Sequence, residues 1–345
     1  MIGKKVKAIL RTLGFTVAYA TLGLFMGQVS FAQKMLYPAR IGEAFGYISE
    51  KGEVMIEPQF DAAQEFSEGF AGVLVGNTWG FIDEQGNFVA ETIYDDVFGF
   101  SEEMARVSLN GRWGYIDKSG EVAIEPAYDA ALDFSEGLAP VQRKHRGKMQ
   151  WGYIDKSGEE VIPPSFISAL MFSESLAPVE VRKGFAFVSA GGKWGFIDKA
   201  GEEVIEAQYD QARNFDEGFA LVRNGKSFRF IGPDGAVLIE APFLRVYGFK
   251  EDLARVSSEE GWGFIDKNGD VAIELRYDNV DDFSDGRALV KYGAKWGFID
   301  KSGEFTIQPR FDRAWNFQGP LARVFLEGQM GYINEIGVQI WPVRD

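Results

Sequence analysis

The stretch Trp113-Gly114-Tyr115-Ile116-Asp117-Lys118-Ser119-Gly120-Glu121-Val122-Ala123-Ile124-Glu125-Pro126 decides the fold. Its first half places aromatic and β-branched residues on an extended run, which reads as a strand. Asp117-Lys118-Ser119-Gly120 is a hairpin turn, with glycine where a positive φ is needed. Glu121–Ile124 returns as a second strand, and Pro126 ends it because proline cannot donate to a ladder. Upstream, Ala105-Arg106-Val107 supplies a third strand, joined through Asn110-Gly111.

This unit recurs. Its leading residue stands at positions 45, 79, 113, 151, 194, 228, 262, 296 and 330, and six of the eight intervals are 34 residues. Trp leads at Trp79, Trp113, Trp151, Trp194, Trp262 and Trp296, while Phe45, Phe228 and Met330 lead weaker copies. A constant period of this length marks a repeat architecture. The six Trp side chains are expected to form the core between repeats, each removing about 150–250 Å² from water. Between meanders runs a connector such as Tyr128-Asp129-Ala130-Ala131-Leu132-Asp133-Phe134-Ser135-Glu136-Gly137, whose apolar spacing fits a helical turn or a kinked fourth strand.

The recurring Trp-Gly-[Phe/Tyr]-Ile-Asp-x-x-Gly run resembles the WG repeat family, also called KWG repeats, of bacterial proteins. The resemblance spans about residues 36–342, and the copy at Phe228 departs from it with Arg229 in place of glycine. It implies little about function, and no catalytic residue carries over.

The expected fold is all-β: nine three-stranded meanders in an open, twisted, solenoid-like stack, with the first and last copies acting as caps. Each meander is completed from its own residues, leaving no strand to be shared between the termini. Propellers typically have four to eight blades. A closed propeller-like ring is the alternative.

Residues 1–32 read as a signal peptide: Lys4, Lys5, Lys7 and Arg11 precede an apolar run, and Ser30-Phe31-Ala32 offers a cleavage site before Gln33. A retained anchor is the rival reading of the same run. The repeat domain is then 33–345, and the address is the periplasm or the exterior. The chain carries 36 Lys and Arg against 51 Asp and Glu, net −15. Loss of residues 1–32 removes four basic residues and no acidic one, giving −19. Such a surface disfavours nucleic acid and direct docking on anionic membranes. With no cysteine and the single His145, thiolate chemistry is excluded and histidine chemistry must pass through one residue. No cofactor or metal is expected; Asp266-Lys267-Asn268-Gly269-Asp270 lacks the ligand spacing of a calcium loop and reads as a hairpin turn.

Two insertions interrupt the period. One holds Arg143, Lys144, His145 and Arg146, a basic tip able to meet an anionic partner. The other, near 179–193, holds Phe185 and Phe187. One connector slot varies from copy to copy as Gln64, Phe98, Leu132, Leu170, Arg213, Tyr247, Asp281 and Trp315. Phe98, Tyr247 and Trp315 there suggest an exposed aromatic track. The expected role is a non-enzymatic scaffold of the cell envelope or exterior that engages a protein or peptide; the alternative is a module binding cell-wall glycan through these aromatics. Carboxylate pairs recur with the repeat and single out no hydrolase site.

Overall fold

The computed structural model describes residues 35–182 and 192–342. These form nine antiparallel sheets in chain order: 37–60, 62–94, 96–128, 130–166, 168–209, 211–241, 245–277, 279–311 and 313–341. The first has three strands and the other eight have four. The extra strand is the connector, which is extended and kinked: in the third sheet Asp96–Ser101 carries a bulge between Val97 and Phe100. The connector strands of the sixth to ninth sheets also contact one another, which sets them innermost.

One interface is repeated around the molecule. Between the fourth and fifth sheets, Tyr153, Ile162 and Phe166 pack on Ala169, Phe172, Ala177, Val179 and Ile197, all buried. The Tyr153 ring meets Phe172 at 5.0 Å, and its hydroxyl donates to the Leu170 carbonyl at 2.8 Å. Tyr115 and Tyr47 make the same bond to Leu132 and Gln64. The central ring is therefore the Phe or Tyr two residues after each Trp. The six Trp rings are half-buried and flank these clusters.

The last sheet packs on the first through the same slots, and this corrects the expected open stack to a closed nine-bladed β-propeller. Leu321 and Tyr332 of the ninth sheet form one buried cluster with Tyr37, Ala39 and Ile48 of the first. By strand register Tyr37 takes the position of Ala71 or Ala177, and Ala39 that of Val73 or Val179. Tyr332 donates to Pro38 O at 2.9 Å, as Tyr153 donates to its neighbour. Closure thus needs no shared strand, because side-chain packing between self-complete sheets suffices. Neither terminal sheet is a cap; opened at the seam, each would expose an apolar face.

Tyr37 also compensates for the first sheet's missing inner strand. Elsewhere that strand supplies a Phe to stack on the central ring. At the seam the Tyr37 ring itself meets Tyr332 at 5.5 Å and 59°, close to the 5.0 Å and 58° of Phe172 on Tyr153. Its hydroxyl donates to Gln318 O at 2.8 Å, and burial raises its pKa to about 12.

The Ser-Glu-Gly motif is explained by a clasp around one rim. Ser67 donates to Phe100 O, Ser101 to Phe134 O and Ser135 to Phe172 O, each in the next sheet. The following glutamate, held at positive φ, accepts from the next sheet's turn: Glu68 from the amides of Glu102 and Glu103, Glu102 from those of Glu136 and Gly137. Lys118, Lys156 and Lys199 pair with Glu68, Glu102 and Glu136.

The glycine after Trp is required by a bulge. A Cβ at Gly114 would lie 2.5 Å from Ile124 O and 2.6 Å from Pro126 N. The return strand advances four positions, from Ile124 to Tyr128, against the two from Tyr115 to Trp113. In the sixth sheet the ladder runs Phe228↔Ala241, Arg229↔Glu240, Phe230↔Ile239 without that bulge. Arg229 therefore has room for a side chain, which pairs with Glu240 at 3.0 Å.

Candidate functional site

The nine sheets share one plan, so a site is most visible where they differ. The variable slot lies on the innermost strand and faces the following sheet. Phe98, Tyr247 and Trp315 occupy it in the third, seventh and ninth sheets, with Phe98 40% and Trp315 38% exposed. These sheets alone carry arginine at the aligned position of the second strand, Arg106, Arg255 and Arg323; elsewhere it is Pro, Gly or Leu. Each aromatic stacks on its arginine: Phe98 at 3.8 Å from Arg106, Tyr247 at 3.9 Å from Arg255, Trp315 at 4.4 Å from Arg323. A stacked guanidinium gains from the ring quadrupole while its edge remains free for anions.

Two of those edges are spent on the next sheet. Arg106, 8% exposed, donates to Ala131 O and approaches Asp133 to 3.1 Å. The pair is not aligned for a hydrogen bond, so its attraction is Coulombic. Burial raises the Asp133 pKa against the pull of Arg106. Arg255 meets Asp281 at 2.9 Å and Asp282 at 2.8 Å, and Asp282 is likewise raised by burial first. The three aromatics lie on sheets that are not consecutive and form no continuous track, and two of the pairs, at Arg106 and Arg255, key neighbouring sheets together.

The sixth sheet breaks this plan. Arg213 takes the aromatic slot, Leu221 the arginine slot and Phe228 the Trp slot. In the seventh sheet, Gly248 stands where Asp133 or Asp282 would pair with an arginine. A cleft of about 580 Å³ opens across the fifth to seventh sheets, lined by Trp194, Arg213, Arg223, Phe228, Arg245 and Tyr247 among others. Arg213 and Arg245 are exposed and Arg223 is half-buried. Among the described residues none of the three has a carboxylate within ion-pair distance. Buried Arg223 Nε has no hydrogen-bond acceptor. Arg213 lies 5.6 Å from Tyr247, Arg223 6.0 Å from Phe228 and Arg245 5.9 Å from Trp262, and at longer range Arg213 attracts Asp282 and Arg223 attracts Asp210. One lining carboxylate, Asp210, is already held by Lys193 at 2.6 Å and the Gly225 amide at 2.6 Å, which together keep its pKa low.

The remaining sequence candidates lie elsewhere. Arg143 pairs with Glu160, and His145 and Arg146 lie at the tip of the hairpin 138–155. Phe185 and Phe187 lie outside the described residues, as does the 1–32 segment. Asp266 accepts from the amides of Asn268 and Asp270, the hairpin-turn arrangement, and no group of three potential metal ligands occurs among the described residues. The sequence reading missed Arg223, Arg245 and Phe228. The available signal was Arg229 in place of glycine, which marks a copy whose second and third strands pair without the bulge.

The WG containing repeat profile matches residues 45–79, 79–113, 113–144, 151–185, 194–226, 262–296 and 296–329, leaving unmatched the copies led by Phe228 and Met330. A comparison with curated proteins finds no match. Among solved structures, apo AztD from Citrobacter koseri is similar at 12% identity and TM-score 0.43, covering 79% of this chain and 93% of that one. The uncharacterized protein lmo1340 from Listeria monocytogenes EGD-e is similar at 10% identity and TM-score 0.41, covering 79% and 94%. Likenesses of this degree bear no weight, and the ring rests on the contacts at its seam. Seven in-phase matches along the repeat, together with the shared bulge, clasp and central ring, show that the chain belongs to the WG containing repeat family.

Proposed function

We propose that this propeller is a non-enzymatic binding module that takes a saccharide in the cleft across its fifth to seventh sheets. The observation that carries the reading is the lining: three half-buried rings, Trp194, Phe228 and Tyr247, beside arginine donors with no protein acceptor. Ligand sites combine apolar and aromatic walls with a few convergent polar groups. Flat rings suit the C–H faces of a pyranose, and guanidinium groups suit its oxygens. A hydrolase would need a carboxylate pair free to exchange protons. The acids with raised pKa, Asp133 and Asp282, are instead held by Arg106 and Arg255. The expected location is the cell envelope or exterior, where glycans are displayed.

The test is retention of cell-wall glycan by the immobilised chain, beside a Phe228→Ala/Tyr247→Ala version. Retention lost in the variant supports the reading. Equal retention by both places the contact outside the cleft and refutes it.

A further inference from the structure

We infer that the ligand of this cleft is an anionic saccharide, one whose carboxylate groups are gripped by Arg213, Arg223 and Arg245. The inference rests on the saccharide reading above and adds the charge of the ligand.

Three observations carry it. In a chain with a net charge of −15, acids outnumber bases, and seven arginines among the described residues stand in ion pairs. Arg106, Arg112, Arg143, Arg229 and Arg255 all stand in ion pairs. Three unpaired arginines on one cleft are thus an excess of positive charge where the protein has least to spare. Second, the connector slot that holds Asp133 and Asp282 elsewhere carries uncharged Gly248 in the seventh sheet, so it supplies no acid beside the cleft. The one lining carboxylate, Asp210, is neutralised by Lys193. Third, Arg223 Nε is buried without an acceptor. A buried donor left unmet is costly, so a ligand oxygen that satisfies it gains more than one meeting a solvated group. Guanidinium groups match carboxylates through parallel hydrogen bonds, which a neutral hydroxyl cannot reproduce.

A saccharide is preferred over an acidic peptide because the cleft offers rings and donors. A peptide would also bring backbone N–H groups that need acceptors, and the lining supplies no free carboxylate to receive them.

The experiment is calorimetric titration of the full chain with tetragalacturonate, with its methyl ester and with an oligoglutamate peptide. The native protein is compared with Arg213→Ala/Arg245→Ala and with Arg213→Lys/Arg245→Lys. Both arginines are exposed, and a thermal melt of each variant confirms folding. The acid oligomer is expected to bind at least tenfold tighter than its ester. The alanine pair should lose about tenfold or more per arginine. The lysine pair should recover part of this, since it keeps the charge and loses the fork. Acid and ester binding equally, with neither variant changed, overturns the inference and leaves the saccharide reading standing. No saccharide binding at all, or binding of oligoglutamate alone, overturns both.

Discussion

The seam between the ninth and first sheets offers the sharpest mutational prediction, through Tyr37→Ala. Tyr37 is 2% exposed, stacks on Tyr332, and fills the volume that a Phe of an inner strand fills elsewhere. Burying a Tyr removes about 150–250 Å² from water, or roughly 4–6 kcal/mol at 25 cal/mol/Å² as an upper bound. The ring cannot be replaced by relaxation, since the first sheet has no inner strand to move inward. Truncation is therefore expected to cost about 3–5 kcal/mol, the usual range for a large aromatic in a core. Tyr37→Phe keeps the ring and loses only the bond to Gln318 O, at about 1 kcal/mol. The assay is urea denaturation followed by Trp fluorescence, with midpoints converted at a shared slope. In an open stack Tyr37 would sit on an exposed end. A cost below about 1 kcal/mol for Tyr37→Ala would then refute the packing across the seam.

Other expectations follow from the repeat. Gly114→Ala should destabilise by several kcal/mol, because its Cβ meets backbone at 2.5 Å, whereas Arg229→Ala should cost under about 1 kcal/mol; thermal melts of the two decide. Asp133→Ala should cost about 3 kcal/mol or more by stranding buried Arg106, and Arg106→Met/Asp133→Ala should cost less, as a double-mutant cycle would show. Stability should fall in acid. Burial alone would raise Glu68 and Glu136, but Lys118, Lys199 and backbone amides outweigh it; the Asp117, Asp155 and Asp300 carboxyls are lowered first by Ser119, Ser157 and Ser302. A depressed folded pKa gives stability that is present above the ordinary carboxylate range, about 4, and lost as pH falls through the folded value. Asp133 and Asp282, raised in the fold, act in the opposite sense. Melts between pH 7 and pH 3 test the sign, and a rising melting temperature below pH 4 would contradict it.

Much of the blade was legible because each element has a local cause. Alternation set the strands and Asp-x-x-Gly set the hairpin, but Pro126, read as ending the return strand, lies inside a strand that runs Val122–Tyr128 past the bulge. The connector was ambiguous because its bulge between Val97 and Phe100 breaks the period-two pattern of a strand. Ring closure was hidden for a different reason. It depends on Tyr37 occupying an alanine slot two residues before Ala39, a register that only the pairing with Ile48 reveals. The aromatic slot recurs visibly in the sequence as a solvent-facing column, yet its partner arginine lies eight residues on, as in Phe98 and Arg106. Pairing the two columns copy by copy separates the three sheets with an aromatic stacked on arginine from the sixth, where Arg213 and Leu221 take the two slots.

The central claim, that nine sheets close into a ring, is tested most directly by small-angle X-ray scattering of the chain lacking residues 1–32. A compact domain of this length has a radius of gyration of about 20 Å. Nine sheets stacked about 10 Å apart in an open array would extend about 90 Å, with a radius of gyration near 28 Å. The closed propeller predicts the smaller value, with a single-peaked distance distribution. The larger value, with a long tail in that distribution, would contradict closure.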